Sequence, residues 1–257
     1  MPEFCSVERE GPLTLVTINR PEVMNSLHPP ANDELGQVFD DFAADPEQWV
    51  AIITGAGDRA FSAGNDLKYQ ASGGKMWSAK AGFGGLTSRF DNVKPVIAAV
   101  NGVAMGGGFE IALACDLIIA SERALFALPE PRVGLAALAG GVHRLPRQIG
   151  MKRAMGMMLT GRRVPGAEAV ELGIANEVVP ADQLMKTARA WAAQILECSP
   201  LSIRATKAAA MRGLAHASLE EAMGAQYAEI RTMAQSADFI EGPKAFAEKR
   251  KPEWRGR

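Results

Sequence analysis

The chain has 257 residues, 47% of them apolar, and a formal net charge of −1. That suits one large domain, or one domain with an appendage, and leaves enough apolar material for a sizeable core. The near-neutral balance argues against a dedicated nucleic-acid binder, and no apolar stretch is long enough to cross a membrane.

Residues 13–19 alternate and are rich in branched side chains, so they predict a strand. Pro29–Ala44 predicts a helix, with Leu35, Val38, Phe39 and Phe42 at helical spacing. Residues 49–54, 96–100 and 116–120 are continuous apolar runs, the pattern of buried strands. Between the last two, residues 106–114 read as a turn entering a helix, which implies a layered α/β unit. Residues 69–89 carry Gly73, Gly74, Gly82, Gly84 and Gly85 with little periodicity, and are expected to cover a substrate pocket or to form a plain surface insertion. After residue 140 the pattern turns helical. A helical stretch over 140–160 is expected to break at Pro146 and Gly150. A short strand is expected at 174–179, and a helix capped by Asp182 carries Leu184, Ala188, Trp191 and Ile195. Further helices are expected over 199–213, 218–234 and 243–249.

Cys5, Cys115 and Cys198 form no metal or redox pattern, and a reducing, cytoplasmic compartment is expected. The start of the chain lacks the basic-then-apolar order of a signal peptide. The basic tail, residues 244–257, reads either as a solvated helix end or as an anion-binding segment. His28, His143 and His216 are scattered, with no spacing for a metal site or a nucleophile triad.

Two glycine-rich turns and two carboxylates carry the chemical signal. The first turn is Ala63-Gly64-Asn65-Asp66, and the second runs from Asn101 through Gly106-Gly107-Gly108 to Glu110. Glycines before a helix let a ligand approach bare N–H groups at its positive end. Two such donors hold a developing oxyanion, and the carboxylates Glu110 and Glu130 would handle a proton and a water. Each feature alone has a plainer explanation: tight packing for the glycines, a first-turn acid for Glu110, a loop acid after Pro129 for Glu130.

Together with Asn19-Arg20-Pro21, Asn25-Ser26-Leu27, residues 61–68, residues 97–116 and the ending around Phe246 to Arg250, these motifs make the chain resemble the enoyl-CoA hydratase/isomerase (crotonase) superfamily. The resemblance runs from about Leu13 to the C-terminus. It implies a spiral of ββα units with a C-terminal helical region, divided as a catalytic core (1–195) and a helical oligomerisation region (196–257). It implies that the N–H groups of Asn65 and Gly107 form the oxyanion hole, that Glu110 helps activate water, and that Glu130 exchanges the α-carbon proton. Isomerases of the family commonly lack a carboxylate at the Glu110 position, so the pair favours a hydratase or the reverse dehydratase.

Substrate contacts are implied at Ala63, Asp66, Leu67, Lys68, Met24, Leu138, Phe246 and Lys249. The substrate is a coenzyme A thioester, with no separate cofactor and no metal, and the assembly expected is a homotrimer or a dimer of trimers. The chain departs from the family where Ala137-Leu138 replaces a Pro-Gly pair ahead of Gly140-Gly141. Leu138 is expected to narrow the water site or reshape the acyl pocket. Arg132 is expected to face solvent, tune Glu130 or meet a polar acyl group. This leaves room for enoyl-CoA isomerisation, hydroxyacyl-CoA dehydration, or carbon–carbon or thioester cleavage. A non-catalytic CoA- or RNA-binding relative is the alternative of a different class.

Overall fold

A computed structural model describes residues 2–74 and 80–257. The larger sheet runs, in spatial order, β1 (Cys5–Glu10), β2 (Leu13–Ile18), β3 (Val50–Gly55), β5 (Val96–Val100), β7 (Leu117–Ser121) and β10 (Glu177–Val179). β1 and β2 are antiparallel, and every later pairing is parallel. The smaller sheet runs β4 (Ala60–Ser62), β6 (Val103–Met105), β8 (Leu125–Ala127) and β9 (Val164–Pro165).

Strand alternation gives each central strand two buried faces, which is why those segments read as unbroken apolar runs. Val16, Ile53, Ala98 and Ile118 enter one core with Phe126 of the small sheet, α1 (Pro29–Ala44) and α3 (Gly107–Ala114). Leu15, Ile52, Ile97 and Ile119 face the other way, onto Leu184, Ala188 and Ala192 of α7 (Leu184–Leu196).

The chain climbs by repeated ββα turns. β3 leads to β4 and α2 (Leu67–Ala71), and β5 to β6 and α3. β7 leads to β8, a 3-10 turn (Glu130–Val133) and α4 (Gly141–Ile149). This is the crotonase-like spiral expected from the sequence. The C-terminal part is helical: α8 (Pro200–Gly213), α9 (Leu219–Gly224), α10 (Ala228–Ala234) and α11 (Ala237–Ala247).

Several expected elements change. The stretch 140–160 breaks only at Gly150, where φ is +83°, between α4 and α5 (Met151–Thr160); Pro146 stays inside α4. Residues 218–234 form two helices, because Ala225 and Tyr227 adopt extended backbone and the Tyr227 hydroxyl donates to Ala222 O. Asp182 lies in a 3-10 turn ahead of α7 and does not cap it. The last helix begins earlier than residue 243, capped by Ser236, whose Oγ accepts from Phe239 N–H. Of the expected cover at 69–89, residues 75–79 lie outside the described residues.

Candidate active site

The three parallel strands of the small sheet end at one edge. Ser62 pairs with Ala104 and Met105 with Ala127, so residues 63–65, 106–107 and 128–130 leave the sheet side by side. Ligand sites in α/β proteins gather at such carboxyl ends.

The two glycine turns touch there. A methyl group placed on Gly64 would stand 2.8 Å from Gly107 N. Gly108 approaches so closely that a methyl on it would overlap the Ser62 carbonyl. Gly106, at φ 53° and ψ −126°, takes a backbone conformation that only glycine adopts without strain, and it starts α3. Among the described residues neither Asn65 N–H nor Gly107 N–H donates to a protein acceptor. The Asn65 side chain turns away, its Nδ2 donating to Gln70 Oε1 at 2.9 Å. The Ser62 hydroxyl donates to Asn25 O and accepts from Gly64 N–H, so it braces the turn instead of waiting as a nucleophile.

Glu110 lies in the first turn of α3, 3% exposed. Its Oε1 accepts the Gly141 N–H at 2.8 Å, the first N–H of α4. Burial pushes its carboxyl up to about 7; the Glu130 charge pushes the same way, while the N–H groups of Gly141 and Ala139 and the Arg144 guanidinium pull it down. Glu130 comes from the third strand end. A methyl on Gly106 would stand 2.9 Å from its Oε1, and its Oε2 is buried without a partner among the described residues. Burial raises its pKa as well. Two raised carboxyls beside two unused N–H donors can hold a proton and a water next to a polarised carbonyl.

The strained ionisation of Glu110 has a measurable consequence for folding. Its folded pKa is raised, so the stability it contributes is fully present below the unfolded value and is lost as pH rises through about 7. Glu110→Gln, which keeps an acceptor for Gly141 N–H, is expected to stabilise the fold by roughly 1–3 kcal/mol at pH 8 and not at pH 4. Urea titrations at the two pH values check this; an equal effect at both would refute it.

The expected substrate contacts divide into two groups. Ala63 N–H donates to Met24 O at 2.9 Å, so the Met24 backbone lies against the first turn. The Asp66 carboxylate caps α2 by accepting Tyr69 N–H and pairs with Arg20 at 3.2 Å, so it fixes the turn. Leu67 and Lys68 follow on α2, exposed. Phe246 lies in the last turn of α11, 87% exposed, and Lys249 follows two residues beyond it.

Leu138 is 77% exposed, because the backbone folds at Ala136–Leu138 and turns Ala137 inward instead. Of the three expected roles, Arg132 takes the first and faces solvent, exposed beside α5. Its Nε and Nη2 donate to Thr160 O at 3.0 and 2.8 Å and close the C-terminal end of α5. Beside Glu130 lies an apolar cavity of about 310 Å³ walled by Ala137, Val142, Met151, Met155, Met158 and Leu159.

Two residues escaped the sequence reading. Phe83 packs its ring against Gly107, and Arg144 extends from α4 toward the same region. The only signal for Arg144 was its place one turn into the helix that Gly140-Gly141 starts. Among the described residues, no three His, Cys, Asp or Glu side chains gather as for a metal, and no helix is long and apolar enough to cross a membrane.

The family model for enoyl-CoA hydratase/isomerase matches residues 8–257. A carnitinyl-CoA dehydratase of Citrobacter koseri is 44% identical and one of Salmonella typhi 43% identical, with both chains fully covered in each comparison. A crystal structure of enoyl-CoA hydratase from Mycobacterium tuberculosis superposes with a TM-score of 0.93 at 37% identity, covering 99% of both chains. Enoyl-CoA hydratase from Bacillus anthracis gives 0.90 at 34% identity, covering 99% of this chain and 100% of its own. With paired glutamates at the strand edge where two bare N–H groups meet, the chain belongs to the enoyl-CoA hydratase/isomerase family and is a hydro-lyase of the crotonase superfamily.

Proposed function

We propose that the enzyme adds water reversibly across the α,β double bond of an acyl-CoA thioester. The observation that carries this reading is the Glu110–Glu130 pair, with its raised pKa values, beside the unused N–H groups of Asn65 and Gly107. The thioester oxygen sits between the two N–H groups and gains charge as the enolate forms. Glu110, as the carboxylate, takes a proton from the water that attacks the β-carbon. Glu130, as the acid, delivers a proton to the α-carbon. The proton gained by Glu110 then resets Glu130, and the reverse sequence is dehydration. The two carboxyls titrate as a coupled pair.

Met24, Ala63, Leu67 and Lys68 are the proposed path for coenzyme A, with Lys68 facing its phosphates. Residues 196–257 are the proposed oligomerisation region. Leu214, Leu219, Met223, Ile240 and Phe246 are each at least 70% exposed there, more apolar surface than an isolated chain ordinarily leaves in water. A trimer or a dimer of trimers would cover them and bring Phe246 and Lys249 to a neighbour's thioester. The reaction uses no separate cofactor, and the compartment proposed is the cytoplasm.

The cavity supports an uncharged acyl group, since a quaternary ammonium is held by aromatic faces or carboxylates and, apart from the catalytic Glu130, this wall is methionine and aliphatic among the described residues. A second reading, dehydration of a hydroxyacyl-CoA that carries such an ammonium, is favoured by the names of the relatives. Loss of ultraviolet absorbance separates them. The panel runs from crotonyl-CoA through longer and aryl enoyl-CoAs to a γ-trimethylammonium enoyl-CoA. Fastest loss with an alkyl member is expected. Turnover confined to the ammonium member would establish the second reading, and no loss with any member that binds would sink both.

A further inference from the structure

Arg144 is a half-buried cation that makes no ion pair among the described residues. Its guanidinium is held by backbone instead. Nη2 donates to Thr87 O at 2.8 Å, and Nη1 reaches Ala139 O at 3.5 Å. Both carbonyls belong to segments that frame the candidate site. Ala139 precedes Gly140-Gly141, and Gly141 N–H is the donor to Glu110. The Thr87 hydroxyl accepts Phe83 N–H at 2.7 Å, and the Phe83 ring stands against Gly107 of the oxyanion hole. One side chain therefore ties the loop that holds Glu110 to the segment that covers the oxyanion donors. Its outer face is covered by the Phe90 ring, 5.6 Å from the guanidinium carbon.

We propose that Arg144 is a positioning residue for hydration, tying together through the Ala139 and Thr87 carbonyls the two segments that bracket Glu110 and bringing a positive charge toward that side chain. The proposal rests on the reading of Glu110 as the group that activates water. A planar fork bonded to two carbonyls suits both tasks, because it stays charged when partly buried and its donors are directed to fixed acceptors. The groups facing Glu110 are Glu130 from the 3-10 turn, Arg144 from α4, and the N–H groups of Gly141 and Ala139. Those facing Arg144 are Glu110 and Cys115. Burial pushes the Cys115 thiol well above its ordinary range, so it is uncharged at neutral pH and leaves Glu110 as the anion that Arg144 meets among the described residues.

Three variants of the full chain separate charge from tie: R144M removes both, R144Q keeps a donor without the charge, and R144K keeps the charge without the fork. Carboxyl infrared titration, with E110Q supplying the difference signal, reads Glu110 directly. The expected result is an upward shift of the midpoint in R144M and R144Q, matched by a shift in the same direction in the acid limb of kcat/KM. R144K is expected to keep the midpoint and lose turnover with a raised KM, because the segments loosen. An unshifted midpoint in R144M or R144Q overturns the proposal. If neither folds, a shifted midpoint in R144K does so. Absence of turnover in the wild type would instead overturn the hydratase reading, and the infrared titration would still report on Arg144.

Discussion

Glu130→Gln is expected to lower hydration kcat by about 10²–10⁴-fold while thioester affinity changes little. An amide at this position keeps the volume but cannot deliver a proton to the α-carbon. The Glu130 Oε2 is buried and makes no structural bond among the described residues, which leaves it open to a substrate or a water. Glu110→Gln is expected to cost as much by a different route. It keeps the Gly141 contact but cannot accept the water's proton. Because the two act on one water, the double variant should be little worse than either single one. Ultraviolet turnover together with calorimetric binding of a saturated acyl-CoA checks this. Near wild-type turnover in either single variant would remove the pair from the mechanism. The wild-type acid limb is expected near pH 7, rising with pH as Glu110 ionises.

The second large effect is structural at its origin. Gly108→Ala would force a methyl into the Ser62 carbonyl, where both partners are backbone and neither can yield by a rotamer change. Ser62 ends β4 and leads into Asn65, whereas Gly108 follows Gly107 in α3. The clash therefore pushes apart the two turns that supply the oxyanion donors. A stability loss of about 3 kcal/mol or more is expected, at the top of the overpacking range. A kcat loss of about 10²–10³-fold should accompany it, even in the folded fraction, as for a misplaced oxyanion donor. Gly156→Ala in α5, with nothing within 4 Å, is the control and should be neutral or stabilise by about 0.5–1 kcal/mol. Urea unfolding and turnover per folded molecule read the two effects separately. A Gly108→Ala protein as stable and active as the control would show that β4 and α3 do not meet this closely.

Much of this molecule was legible in one dimension. The buried strands announced themselves because parallel strands covered on both faces need continuous apolar runs, as at Val50–Gly55 and Val96–Val100. The oxyanion turns were legible because a bare N–H at a strand end needs glycine close by in sequence. Glu110 and Glu130 were legible as a pair only through the motifs around them.

What the sequence could not supply is the edge on which these pieces meet. β4, β6 and β8 are three residues each, too short to have a period, and their long-range parallel pairing alone brings residues 63–65, 106–107 and 128–130 together. The same holds for the side chains around the glutamates. Arg132 and Arg144 are both arginines near Glu130 in the chain, yet one closes α5 and the other reaches Thr87, 57 residues away. Local chemistry thus determined which residues have the capacity to act. Backbone pairing between distant segments decided which carboxylate gained the N–H of a distant helix, which kept an oxygen without a partner among the described residues, and which arginine came to face them.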